Sequence, residues 1–222
     1  MKKKVLIFGT TMFSKEMMHY LQKDDKWEIL GFTLDRDYKK EEFFCDYKVY
    51  PFEDLEIYFN MENTEILPSI GYSGMNSHRK LFFEKCEKKG YKIASYIDRT
   101  AINYAKSIGK GNIILDFVQL GHECTLGTGN IIKGTCGFAH DSQIGDFNYF
   151  GGSDHIGGAV IVGNENFFGI SCIIRSQIKI GNENLIGAGT YLSESIGKYT
   201  VVSPAKARIV KSSKRAISLF LD

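Results

Sequence analysis

The chemistry this chain could do rests on few side chains. It has five histidines: His19, His78, His122, His140 and His155. His140 is followed directly by Asp141 in Phe138-Ala-His-Asp-Ser-Gln-Ile-Gly145. An imidazole with a carboxylate partner makes a general base near neutral pH, because the partner fixes the tautomer and stabilises the imidazolium. A hydrogen-bonded structural histidine fits the same two residues, and from the residues alone both readings stand. Alternation along a short strand sends His140 inward or to the edge and Asp141 the other way. Contact between them would then need turn geometry or a second subunit. His19 and His78 fall on predicted helices and read as surface residues. His155 lies fifteen residues after His140, as a substrate contact or an alternative base. The five cysteines include no C-x-x-C pair, which speaks against a disulfide framework, a zinc site or any other metal centre.

The elements that must position these groups are announced by glycine. Of 23 glycines, only Gly9, Gly31, Gly71, Gly74 and Gly90 precede residue 108. The rest fall between Gly109 and Gly197. The three prolines and the interleaved aliphatics exclude collagen and a flexible linker. Every sixth residue from Ile108 to Leu192 is Ile, Leu, Val or Phe, fifteen times without a break. Composition alone gives that outcome odds on the order of 10⁻⁸. Glycine follows in ten of the fifteen cases. A small or polar residue often stands two positions before, as at Asn112, Cys124, Cys136, Ser142, Asn166, Cys172 and Thr190.

A period of six matches neither a helix nor a hairpin. It matches a coil of short parallel strands with a turn every six residues. The aliphatic would point inward, the small residue would fit a tight corner, and the glycine would sit in the turn with positive φ. About five coils are expected, ending after Leu192, with Pro204 closing the ladder. The basic tail Lys206–Arg215 would cap the rod or offer cations to cofactor phosphates.

The first half reads differently. Strands are expected at Lys4–Phe8, Trp27–Leu34, Thr64–Ile70 and Lys92–Ile97. Helices are expected over Ser14–Gln22, capped by Ser14, over Phe52–Phe59 and over Asn76–Lys89. The alternation predicts a small parallel α/β domain over residues 1–100, with ligands at the carboxyl ends of its strands. The dinucleotide fingerprint is absent, since Thr11 and Phe13 stand where it needs glycines. Gly9 before a helix N-terminus can still hold a phosphate, and the Asp35 carboxylate after the second strand can meet a ribose hydroxyl. Each also fits an ordinary loop or capping role.

Composition sets the remaining bounds. The 222 residues are 43% hydrophobic and 24% charged with a net charge of +2, enough to bury a core and without the footprint of a nucleic-acid binder. No uncharged run approaches the ~18 residues of a spanning helix. The opening Met-Lys-Lys-Lys and apolar Val5–Phe13 contain Gly9 and lack a cleavage site, so a cytoplasmic protein is expected.

The order of parts resembles the sugar O-/N-acetyltransferases of the sialic-acid O-acetyltransferase and bacillosamine-pathway type. The resemblance is carried by Val5-Leu-Ile-Phe-Gly9, Ile70-Gly71-Tyr72, the hexapeptides, His140-Asp141-Ser-Gln-Ile-Gly145, Gly157-Gly158-Ala-Val-Ile-Val-Gly163, Ile186-Gly-Ala-Gly189 and Pro204-Ala-Lys206. It implies a Rossmann-like α/β domain followed by a left-handed parallel β-helix over residues 101–222, assembled as a homotrimer. It implies an acetyl-CoA-dependent transferase acting on a nucleotide-linked amino sugar, for bacterial surface glycans. His140 would be the general base and Asp141 its partner, with no covalent enzyme intermediate. The backbone N–H near Gly158 would polarise the thioester carbonyl, and Ala188 would lie along the cofactor arm. Gly9, Thr10, Asp35, Arg36, Gly71, Tyr72 and His155 are the expected substrate contacts. O-acetylation, and a non-catalytic trimeric scaffold, are the alternatives.

Overall fold

The computed structural model describes residues 2–206. The tail from 207 to 222, which carries Arg208, Lys211, Lys214 and Arg215, lies outside the described residues.

The first part alternates strand and helix: β1 (Lys3–Phe8), α1 (Met12–Lys23), β2 (Trp27–Leu34), β3 (Phe43–Phe44), β4 (Tyr47–Pro51), α2 (Leu55–Tyr58), β5 (Thr64–Pro68), α3 (Ser77–Lys89) and β6 (Lys92–Ile93). They form one sheet in the order β3-β4-β2-β1-β5-β6. Every pairing is parallel except β3 with β4. The apolar run of β1 is buried on both sides, as a central parallel strand requires. Val5 and Ile7 pack with α1 and the second part of the chain, while Leu6 and Phe8 pack with α3.

Three local expectations are corrected. The N-cap of α1 is Thr11; Ser14 is its reciprocal partner in a capping box. A β3–β4 hairpin appears that no glycine signals, because Cys45 and Asp46 themselves take φ of 48° and 64°. The run 92–97 is not one strand. Lys92–Ile93 closes the first sheet, and Tyr96–Ile97 opens the second part of the chain.

That second part is a coil of two-residue parallel strands in three sheets. The first face runs from Tyr96–Ile97 to Val201–Val202, the second from Ile102–Asn103 to Tyr191–Leu192, and the third from Ser107–Ile108 to Lys179–Ile180. Fourteen of the fifteen hexad aliphatics are buried in one continuous core, Ile108 being half-buried at its edge. Rings stack coil on coil inside it, Phe150 on Phe168 at 4.6 Å and 10°.

The glycines act differently from the expectation. None of the ten that follow a hexad aliphatic has positive φ. The left-handed turn positions lie two residues further on and are held mostly by other residues, among them Phe117, Glu123, Asp141, Ala159 and Gln177. The ten glycines are small because the coils nearly touch. A Cβ at Gly109 would lie 2.6 Å from the Gly127 carbonyl oxygen, and one at Gly145 would lie 2.6 Å from that of Gly163.

The buried corner residues are polar where they can bond along the rod. Asn112, Asn130, Asn148, Asn166 and Asn184 form a ladder in which each Oδ1 accepts the backbone N–H of the next asparagine at 2.7–2.9 Å. Asp146, Asn164 and Asn182 form a second ladder in the opposite sense.

The coil also runs past both ends of the hexad frame. Below Ile108 the pairing offset shortens, Ile114 lying beside Ile97 and Leu120 beside Asn103. Beyond Leu192 it shortens again, with Ile180 beside Ile196 and Ile186 beside Val202. The repeat therefore continues to Val202 instead of stopping at Leu192.

The first domain covers the first face of the coil. Outward-pointing Ile113 and Ile131 have no exposed surface. The junction is locked by Arg79 of α3, which is fully buried. Its guanidinium donates to the carbonyls of Ile70, Gly71, Gly129, Phe147 and Asn148 and to Asn76 Oδ1, at 2.6–3.2 Å. Burial pulls its pKa down, yet six acceptors keep the cation in place.

Candidate active site

His140 and Asp141 occupy the corner between the second and third faces. The strand Gly137–Phe138 has ended before them, so alternation no longer governs where they point. Asp141 takes φ of 58°, and its carboxylate swings back to His140. His140 Nδ1 lies 2.7 Å from Asp141 Oδ2 within one chain. A carboxylate only accepts, so Nδ1 carries a proton, and in the neutral ring the lone pair is on Nε2. The ring reaches up to the next coil and lies over Gly158. A Cβ added there would meet His140 Nε2 at 2.8 Å and Cε1 at 3.0 Å. A side chain at Gly158 would push the exposed ring aside, so the glycine lets the histidine rest where it does. Its N–H donates to Ser176 Oγ at 3.1 Å. His140, Gly158 and Ser176 stand one above another, one coil apart. Sequence reasoning missed Ser176; its only signal is that third place in the column.

The other expected residues are dispersed. His155 points outward from the second face, its Nδ1 3.2 Å from the Ser153 carbonyl, and it stands over Gly137 without meeting His140. Ala188 is at the corner between the first and second faces, against Gly169 of the coil below. The cysteines of the coil are buried, and burial pushes the Cys124 and Cys172 thiols up to about 11 and Cys136 up to about 12. None suits a nucleophile.

A second candidate region lies at the carboxyl ends of the first sheet. A cleft of about 530 Å³ is lined by Phe8, Leu34, Asp35, Tyr38, Ile70, His78, Leu81, Phe82 and Lys85. Asp35 is ion-paired with Lys85. His78 is exposed, as expected, but borders this cleft. Arg36 turns away, its Nη2 2.6 and 2.8 Å from the Asp54 carboxylate oxygens. Thr10 lies in a smaller depression with Tyr38 and Phe44. Gly9, at φ of 117°, leaves room for the bonded hydroxyl pair Ser14–Ser69. The Thr11–Ser14 box consumes donors that a phosphate at that helix end would use. Gly71 gives its carbonyl to Arg79, and Tyr72 packs edge-on against Tyr149 and Phe167 at 5.0 and 4.9 Å. Among the described residues no group of side chains suits a metal ion, and no helix is long and apolar enough to cross a membrane.

No family model matches the sequence, and no curated protein matches it. Solved structures do. A GDP-perosamine N-acetyltransferase from Caulobacter crescentus, in complex with CoA and GDP-perosamine, aligns with a TM-score of 0.78 at 18% identity, over 89% of this chain and 92% of that one. The acetyltransferase domain of PglB from Neisseria gonorrhoeae, in complex with acetyl coenzyme A, aligns at 0.76 and 21%, over 93% and 99%. WeeI from Acinetobacter baumannii aligns at 0.74 and 19%, over 90% and 96%. At these identities the likeness is one of fold, and the stacked parallel strands fit a left-handed β-helix.

Proposed function

We propose that this chain is an acetyl-CoA-dependent acetyltransferase that acylates the amine of a nucleotide-linked sugar. The observation that carries this reading is the His140–Asp141 pair, with Nε2 free and presented over Gly158 on this fold. Two solved structures of that fold support it: one is a GDP-perosamine N-acetyltransferase with CoA and GDP-perosamine, the other an acetyltransferase domain with acetyl coenzyme A. In the reaction the sugar nitrogen attacks the thioester carbon, and His140 Nε2 takes the proton that the nitrogen loses. The carbonyl electrons move to oxygen and return as the C–S bond breaks. The departing thiolate is protonated to the free thiol. Asp141 holds the tautomer and balances the imidazolium.

The first domain serves as a Rossmann-like nucleotide-sugar-binding unit, with the base and ribose in the cleft of Asp35, His78 and Lys85. That cleft opens at the carboxyl ends of the strands, where the order changes direction beside β1. The first domain covers the first face, and His140 stands at the opposite corner of a three-faced rod. Cleft and base therefore come together between protomers of a cytoplasmic homotrimer, where Ala188 of one rod and Gly158 of another flank the acyl donor. The test is a panel of UDP-, dTDP-, GDP- and CMP-linked amino sugars with acetyl-CoA, followed by thiol release. Thiol release with an amino sugar supports the reading. With the same nucleotide sugars lacking the amine added to the panel, release only from those would make the enzyme an O-acetyltransferase, and none from either set would leave a scaffold.

A further inference from the structure

The acyl-transfer reading assigns the developing oxyanion to a backbone N–H near Gly158. The geometry around that atom points elsewhere. His140 reaches up from the coil below, and its ring covers Gly158. Ser176 reaches down from the coil above, and its Oγ already accepts the Gly158 N–H at 3.1 Å. The imidazole of one coil and the hydroxyl of another converge on one residue. The seat of Ser176 is built. A Cβ at Gly157 would lie 2.5 Å from the Ser176 nitrogen and 2.7 Å from its Oγ, so only glycine there lets the hydroxyl settle. Gln177 N–H bonds the Gly158 carbonyl at 2.9 Å and fixes the register of the two coils. Among the described residues the Ser176 O–H donates to no acceptor, and the side chain is exposed at the corner His140 occupies.

We propose that the Ser176 hydroxyl is the oxyanion donor, polarised by the Gly158 N–H behind it. This rests on the acetyltransferase reading. As the substrate nitrogen bonds to the thioester carbon, the carbonyl pair moves to oxygen and the Ser176 O–H donates to it. When C–S cleavage restores the carbonyl, that bond weakens again. Ser176 loses no proton; the nitrogen's proton goes to His140 and on to the leaving thiolate. A hydroxyl that accepts a hydrogen bond is a stronger donor through cooperativity. A donor aimed at developing charge contributes to kcat more than to KM.

The alternative is direct donation by Gly158, with Ser176 as a plug. The two readings give opposite results for Ser176→Ala. On our proposal kcat falls at least about 10-fold, on the low side of the losses for an oxyanion donor. KM for acetyl-CoA and the pH profile stay in place. The ¹³C resonance of bound [1-¹³C]acetyl-CoA moves back toward its free position in the variant. Turnover that is unchanged or faster, with an unmoved carbonyl resonance, would overturn the proposal and return the role to Gly158. Failure of wild-type protein to bind acetyl-CoA would overturn both readings together, whereas wild-type binding with undiminished turnover by Ser176→Ala would overturn this one alone. Matching melting temperatures exclude a folding effect.

Discussion

Asp141 sits in the left-handed region at φ of 58°, a conformation that costs a non-glycine residue roughly 1 kcal/mol. The distortion turns its carboxylate onto His140. The strand ends two residues before the histidine, so the alternation that separates the two in sequence stops too early to apply. Replacing His140 with Ala should lower kcat/KM by at least ~10², the loss expected of a general base. Asp141→Asn keeps the shape but fixes the ring less well, and should lower kcat with little change in acetyl-CoA KM. Steady-state kinetics with both substrates checks this, and near-wild-type turnover by His140→Ala would remove it from the mechanism. A second residue-scale effect concerns Asp154, fully buried between Cys136 and Cys172. Burial pushes its carboxyl up to about 6, above the ordinary value. The folded state then binds that proton more tightly than the unfolded chain. Stability from this group is complete below pH ~4 and is lost as pH rises through about 6. Melting temperatures between pH 4.5 and 7 should fall less for Asp154→Asn than for wild type. Equal slopes would show that Asp154 does not titrate in this range.

At the scale of the coil, the hexad frame was legible because each buried position repeats at the same interval, and fourteen of its fifteen residues are buried in the core. Its ends were not, since the coil tolerates missing residues in outward turns without losing register. The pairing Ile186–Val202 shows this, with Pro204 following just past it. The role of the glycines was not legible either. A glycine required by φ and one required by a neighbouring coil look the same in sequence, and only the approach of Gly145 to Gly163 separates them. Gly145→Ala should therefore cost about 1–3 kcal/mol, as overpacking does. Gly197→Ala, with nothing within 4 Å of the added carbon and no positive φ, should be neutral within about 0.5 kcal/mol. Urea denaturation of the pair decides it: equal costs would mean that coil contact is not what selects glycine. The clefts were legible only as strand ends. Lys85 and His78 lie on a helix whose sequence shows many lysines and no preference for the one that meets Asp35.

For the whole molecule the decisive relation is between the cleft of the first domain and the His140 corner. Arg79 and the buried first face fix the domain to one side of the rod. His140 belongs to the corner on the other side, so on the proposed reading one chain carries both halves of the site without joining them. A shared site makes a prediction that no single-chain site allows. Leu81→Arg should block the cleft, since Leu81 lines it and is 58% exposed, at little cost to folding. His140→Ala removes the base and leaves the cleft intact. Each variant alone should be nearly inactive. Co-expressed in equal amounts, they should form the proposed trimer, in which some sites combine an intact cleft from one protomer with an intact His140 from its neighbour. Random assembly places such combinations at about one quarter of the sites, so roughly a quarter of wild-type activity should return. Two inactive variants that stay inactive when co-assembled, with the trimer verified by light scattering, would mean that cleft and base meet within one chain. A stable monomer with full activity would also rule out the shared site, because one rod presents its base with no cleft beside it.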